Sequence, residues 1–200
     1  MSNIYLIRHG QTDMNLVHGL QGHIDTQLND VGRSQASSAG KYIQMLELEH
    51  PVIYSSPLQR AFETTCIVSG FKEQEIIIDE RLKEMGFGDY EGIPMEETPQ
   101  SFRSTLFDKT SQYIPTGNGE TISGVTERML SFFEEITDKY QSPNRDVIAI
   151  SHGAAIHALM VALYGLDMDD FWSFDVYNCA VVKIDSKKRL PKVIFEGFMN

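Results

Sequence analysis

Two cysteines, one tryptophan and seven prolines are all that the 200 residues hold of those types. Cys66 and Cys179 stand far apart, each in an apolar segment. That excludes a disulfide framework and a cysteine-built zinc site, and both are expected as small buried residues. Long apolar runs are missing too: the longest, Ala158 to Leu166, falls far short of the ~20 residues that cross a bilayer. The first residues lack the basic, apolar and small-residue order of a signal peptide, so a cytoplasmic location is expected. Positive charge is scarce. Seventeen Lys plus Arg against 28 Asp plus Glu leave −11, which argues against nonspecific attraction to nucleic acid or an anionic membrane. An anionic ligand would need a local positive pocket.

With 42% hydrophobic residues and no repeat, low-complexity block or Gly/Ser-rich linker, residues 1–200 are expected to form one domain around one sizeable core. Ile4 to Ile7, Val52 to Tyr54, Ile76 to Ile78 and Val147 to Ile150 are apolar without alternation, which suits central parallel strands covered on both faces. Helical patterns lie between them at Val31 to Leu48, Pro57 to Val68, Thr121 to Tyr140 and Ala154 to Tyr164. In the third, Ile122, Val125, Met129, Phe132, Phe133 and Ile136 recur at spacings of three and four. Cys179 to Ile184 and Lys192 to Phe198 read as a closing antiparallel hairpin. The fold class is α/β with a mixed, mostly parallel sheet.

Three strand ends carry polar residues. The first strand runs into Arg8-His9-Gly10, at the kind of edge where open α/β sheets bind ligands. Alternation sends Arg8 and His9 to opposite faces, so one ligand can meet both only if the strand ends there, a turn that Gly10 eases. Tyr54-Ser55-Ser56-Pro57-Leu58-Gln59-Arg60 reads as a strand followed by a capping box, with Ser56 the N-cap, Pro57 the first helical residue and Gln59 the reciprocal partner. Arg60 then opposes the helix dipole by ~0.3 to 1 kcal/mol unless an anion is close. A salt bridge to Glu63 or Glu80 would serve equally well. The third strand end, Ser151-His152-Gly153, delivers His152 to a helix start, whose backbone N–H groups favour anions. His157, inside the next apolar face, is expected as an internally satisfied core or helix-surface histidine.

Two arginines and two histidines on one edge suit phosphoryl transfer, in which charge spreads over three equatorial oxygens. No Gly-x-x-x-x-Gly-Lys-Ser/Thr loop and no carboxylate cluster for magnesium accompanies them, and fixed cations can take that place. One neutral imidazole can attack phosphorus while the other, protonated, helps hold the oxygens. The proton donor must come from the acidic loop Asp79 to Gly92, where spacing does not choose among Glu80, Glu84, Asp89 and Glu91.

Leu6-Ile7-Arg8-His9-Gly10-Gln11-Thr12-Asp13-Met14-Asn15 resembles the opening motif of the histidine phosphatase superfamily (branch 1), which includes the cofactor-dependent phosphoglycerate mutases. Gly22-His23-Ile24-Asp25-Thr26-Gln27-Leu28, Ser55-Ser56-Pro57-Leu58-Gln59-Arg60-Ala61, Glu84 with Gly88-Asp89-Tyr90-Glu91-Gly92, Gly119-Glu120-Thr121 and Ser151-His152-Gly153 extend the resemblance in order over residues 4 to 153. It implies a three-layer α/β/α sandwich, phosphoglycerate mutase-like. It also implies that His9 is the phosphorylated nucleophile, that Arg8, Arg60 and His152 bind the phosphoryl group, and that Glu84 is the acid and then the base. Asn15, Gln21, Gly22 and Gly153 would line the same substrate pocket. No cofactor and no metal is implied.

Mutases of the superfamily typically carry an insertion after the acid residue. Here Glu84 runs straight into Met-Gly-Phe-Gly-Asp-Tyr-Glu-Gly, which resembles the broad-specificity phosphatase form. The expectation is a metal-independent hydrolase of small phosphomonoesters. A cofactor-dependent phosphoglycerate mutase is the alternative, and a non-catalytic phosphate-binding module the second. A small phosphorylated metabolite is the expected partner, without nucleic acid or membrane, and a homodimer through the C-terminal sheet edge stays open. Specificity would come from Met14 to Ile24 and residues 93–115, where His18 and His23 would touch a substrate's distal groups or be solvated loop residues, and Phe87, Tyr90, Phe102, Phe107 and Tyr113 would serve as an apolar lid or as ordinary packing.

Overall fold

The computed structural model describes residues 2–70, 75–140 and 145–198. Its strands are β1 (Asn3–Arg8), β2 (Val52–Ser55), β3 (Ile77–Ile78), β4 (Val147–Ser151), β5 (Val181–Asp185) and β6 (Pro191–Phe195). They form one sheet in the order β3-β2-β4-β1-β5-β6. β1, β2, β3 and β4 are mutually parallel, β5 is antiparallel to β1, and β6 is antiparallel to β5. The sheet is therefore mixed and mostly parallel.

The helices are α1 (Asp13–Leu16), α2 (Asp30–Gln44), α3 (Gln59–Ser69), α4 (Gln100–Arg103), α5 (Ile122–Tyr140) and α6 (Gly153–Tyr164). Strand side chains alternate between two cores. Ile4 and Leu6 join Val147 and Ala149 in a core with α5 and α6, while Tyr5 and Ile7 join Ile148 and Ile150 in a core with α2 and α3. Because each face needs apolar cover, these strands are apolar without alternation from Ile4 to Ile7 and from Val147 to Ile150. The result is three layers, α/β/α. All six apolar positions singled out on α5 are buried, as their spacing requires.

Some boundaries differ from the sequence expectation. β3 is two residues long with both side chains exposed, because it lies at the sheet margin and pairs only with β2. The second helix stops at Gln44 rather than Leu48; Glu47 turns left-handed at φ 51°, and Leu46 and Leu48 pack onto the α2/α3 core. The closing hairpin is antiparallel, but its first strand starts at Val181, since Cys179 sits at φ 59°. Cys179 is buried, whereas Cys66 on α3 is only partly so.

The parallel register places Arg8 opposite Ser151 and Ser55 opposite Ile150, so β1, β2 and β4 end together. That common edge carries the polar residues.

Candidate active site

Arg8 is the last residue of β1, and His9 still closes the ladder by donating its N–H to the Ser151 carbonyl. The chain then leaves the sheet at Gly10. What requires glycine there is proximity, not a left-handed backbone: a Cβ on Gly10 would lie 2.5 Å from the Gly32 carbonyl oxygen. The N-terminus of α2 thereby packs directly against the His9 loop.

His9 is 2% exposed, and its Nδ1 lies 2.7 Å from the Gly10 carbonyl oxygen. A carbonyl only accepts, so Nδ1 carries the proton and Nε2 keeps its lone pair in the neutral ring. Burial, then the charges of Arg60 and Arg8, push its pKa well below the ordinary 6.5. His9 is thus a neutral imidazole with one basic nitrogen free. The His152 ring centroid lies 5.1 Å from that of His9, and its pKa is also pushed well down, by burial first and then by Arg60, so this second imidazole is neutral here rather than protonated as expected.

Ser56 does not cap a helix. α3 begins at Gln59 with Leu58 at the cap position and no side-chain cap bond. The Ser56 hydroxyl instead accepts the Leu58 N–H and lies 2.8 Å from His152 Nε2. Arg60 does fall in the first turn of α3 and is 0% exposed. Neither candidate carboxylate meets it: Glu63 binds Arg33 at 2.7 Å and Glu80 binds Lys83 at 2.6 Å. Its guanidinium donates to the carbonyls of Gly22 and Ile24, both at 2.8 Å. Burial lowers its pKa to about 10, which leaves it charged at neutral pH. A cation held by dipoles keeps its charge available for an anion.

Glu84 is 9% exposed and rests on the N-terminus of α6. Its Oε1 accepts from Met85 N at 2.9 Å and Ala155 N at 3.2 Å, and its Oε2 from Ala154 N at 3.4 Å. A Cβ on Gly153 would sit 3.7 Å from the Arg8 guanidinium carbon and 3.8 Å from Glu84 Oε2, so Gly153 lies between the two.

A cavity of about 490 Å³ opens here, lined by Arg8, His9, Asn15, Gln21, Glu84 and Gly153 among others. Asn15 is set by Thr12, which forms a reciprocal capping box with it at the start of α1, and Gln21 Oε1 accepts the Thr12 hydroxyl at 2.9 Å. Gly22 acts at one remove, through its carbonyl on Arg60. His18 reaches the cavity wall, whereas His23 turns away and puts Nε2 2.9 Å from the Glu84 carbonyl oxygen. Of the aromatic candidates, Phe87 and Phe107 line the cavity, while Phe102 and Tyr113 meet edge to face in the core with Tyr90 against Phe102. The Asp79–Gly92 loop thus brings Glu84 to the cavity, with Glu80 paired on the surface.

Gly19, Leu20, Ala154 and Trp172 line the cavity without being named individually as site residues, and Met95 is covered only by the stretch 93–115. Trp172 lies in an irregular segment without a motif, and Leu20 and Met95 are ordinary loop residues. His157 is buried in the helix as expected, its Nδ1 2.7 Å from the Gly153 carbonyl oxygen and its Nε2 2.9 Å from that of Phe174, of which the neutral ring donates to one; it also borders the cavity. Three buried nitrogens at this edge have no hydrogen-bond partner: Arg8 Nε, Arg60 Nε and His152 Nδ1. Tyr113 Oη, Thr137 Oγ1 and Asn178 Oδ1 are in the same condition, but the three nitrogens differ in being cationic-capable groups gathered around His9.

An α/β protein whose parallel strands deliver two arginines and two histidines to one buried, anion-ready edge is the class that this geometry defines. The chain belongs to the histidine phosphatase superfamily (branch 1), whose family model matches residues 4–195. It is 34% identical over 167 residues to a Bacillus subtilis protein named uncharacterized phosphatase PhoE, covering 84% of this chain and 80% of that one. It is 31% identical over 194 residues to phosphoserine phosphatase 1 of Hydrogenobacter thermophilus, covering 94% and 89%. The solved structure of Bacillus stearothermophilus YhfR matches with TM-score 0.86 at 31% identity, covering 100% of this chain and 98% of that one.

Proposed function

We propose that the protein is a phosphatase that hydrolyses small phosphomonoesters through a phosphohistidine on His9. The observation that carries this reading is the trio of partnerless buried nitrogens, on Arg8, Arg60 and His152, beside a neutral His9 whose Nε2 is free. The His9 Nε2 lone pair attacks phosphorus as the ester P–O bond breaks, and the leaving oxygen takes its proton from Glu84. Arg8, Arg60 and His152 hold the three remaining oxygens and their charge. Glu84, now a carboxylate, removes a proton from water; that oxygen attacks phosphorus, the N–P bond breaks, and phosphate leaves with His9 restored.

The fixed guanidinium charges supply what a divalent ion supplies elsewhere, so the reaction proceeds without metal. The leaving-group end of the cavity is formed by Leu20, Phe87, Met95, Phe107 and Trp172, and Arg8 is the one arginine or lysine among the described lining residues. A carboxylate on the leaving group would find no dedicated cation there, which supports uncharged, apolar leaving groups. The intended substrate is a small phosphorylated metabolite.

The test is hydrolysis of a chromogenic phosphomonoester in EDTA by wild type and His9→Ala. Wild type is expected to turn over and the variant to lose nearly all activity; equal rates remove His9 from the reaction. Incubation with 3-phosphoglycerate, with and without bisphosphoglycerate, separates the two chemistries of the superfamily, since a phosphatase accumulates free phosphate and a mutase accumulates 2-phosphoglycerate.

A further inference from the structure

Glu84 lies in a stretch, residues 83–87, that belongs to no helix and no strand. Such backbone has no ladder to satisfy its carbonyls or fix its position. On α5, opposite it, Arg128 has a side chain only 16% exposed. A guanidinium has five N–H donors, and here all five are used. Nη1 donates to the carbonyls of Arg81 at 2.6 Å and Lys83 at 2.8 Å, and Nη2 to that of Glu84 at 3.0 Å. The remaining two go to Glu120, Nε to Oε1 and Nη2 to Oε2, each at 2.9 Å.

Glu120 completes the clamp from its own side. Its Oε2 accepts the Gly86 N–H at 2.9 Å, and its own N–H donates to the Gly86 carbonyl at 2.8 Å. The chain is therefore gripped immediately before, at and after Glu84. Burial favours the neutral form of Glu120, but the bonds from His23 and Arg128 outweigh it and hold its pKa at about 2. Its charge persists across any ordinary working range.

We infer that Arg128, locked by Glu120, is the positioning residue that sets where the Glu84 carboxyl meets the leaving oxygen. With all five donors spent on the loop carbonyls and Glu120, Arg128 acts through the loop. A lysine has three donors on one nitrogen and cannot span three carbonyls and a carboxylate together. Displacing a proton donor by about 1 Å costs on the order of 100-fold in rate.

The inference rests on the proposed phosphatase reaction, and leaving groups of different demand test it. An alkoxide needs a proton to depart, whereas p-nitrophenolate departs without one, so only the alkyl ester depends strongly on a well-placed Glu84. Wild type, Glu84→Gln and Arg128→Lys are compared by kcat/KM, which reports the first phosphoryl transfer, on glycerol 2-phosphate and p-nitrophenyl phosphate. Inhibition by inorganic phosphate is read alongside. In Arg128→Lys the alkyl ester is expected to lose roughly 10- to 100-fold and the aryl ester no more than about threefold, with phosphate inhibition unchanged. Glu84→Gln should show the same selectivity, larger.

Equal losses on both esters, phosphate inhibition weakened by the same factor, or no loss at all would overturn the positioning role while the phosphatase reading stands. A wild type inactive on both esters, or a fully active His9→Ala, overturns that reading and the inference with it. If Arg128→Lys does not fold, Glu120→Gln, which frees one side of the guanidinium, is judged by the same ratio of losses.

Discussion

The hydroxyl oxygen of Ser56 and Nε2 of His152 lie 2.8 Å apart, a fully buried contact that joins the ends of β2 and β4. This contact orients the His152 ring, because Nδ1 on its other side has no partner. Removing the hydroxyl in Ser56→Ala should cost about 1 kcal/mol of transition-state binding, roughly a fivefold fall in kcat/KM. Steady-state kinetics on p-nitrophenyl phosphate check it, with thermal denaturation to show that the fold persists. An unchanged rate would mean that the ring is held by packing alone.

Three buried histidines set a stability dependence on pH. Burial is the first cause in each case, and it pushes His9 and His152 well below 6.5 and lowers His157 as well. Below about 6.5 the unfolded chain takes up protons that the folded one refuses, so stability is full above that value and lost as pH falls toward the folded-state pKa values. The thermal midpoint should drop between pH 7 and pH 5, and less steeply in His152→Gln. A midpoint that rose on acidification would contradict the buried neutral state.

Gly22 pairs backbone strain with a charge it holds. It sits at φ 49°, and a Cβ there would lie 1.9 Å from Glu91 Oε1. Glu91 cannot easily move, since that oxygen accepts from His23 N and Phe87 N, both at 3.0 Å. Gly22→Ala should destabilise by roughly 1–3 kcal/mol and also weaken phosphate binding, because the Gly22 carbonyl anchors Arg60. Gly70→Ala is the control: φ is 65°, but nothing lies within 4 Å. It should lower the thermal midpoint and leave phosphate affinity alone, as calorimetric titration with phosphate would show.

Phe107 and Trp172, with ring centroids 5.1 Å apart, line the same cavity as Arg8 and His9, and the proposed reaction puts the leaving group against them. Phe107→Ala should raise KM for aryl phosphates by roughly tenfold, about 1.4 kcal/mol of lost apolar contact, with inhibition by inorganic phosphate unaltered. Equal sensitivity of a short polar ester would move the leaving group away from this wall.

Local pattern was enough for β1, β2 and β4, whose apolar runs end in the residues that meet at the site. It failed where the deciding partner is distant in sequence. Ser56-Pro57-Leu58-Gln59 has every local feature of a helix start, yet Ser56 is engaged by a histidine on another strand, and no local pattern reports that. Ile76 to Ile78 reads as a core strand because its marginal place depends on which strands pair. Spacing does not separate Glu84 from Glu80, Asp89 and Glu91; the family resemblance picks it, and the physical reason is visible only once α6 presents its N-terminus to it. Trp172 follows no motif and shares an irregular segment with Val176, whose carbonyl accepts from Arg8 at 2.8 Å.

The two margins of the sheet bear on crowding. One ends in the two residues of β3, the other in a strand that opens with Pro191 and Lys192 and is bulged against its neighbour at Val181/Val182. A short rim on one side and a proline-led, irregular rim on the other present little continuous template for cross-β addition. Concentrated stocks should therefore resist fibril growth seeded through the native sheet.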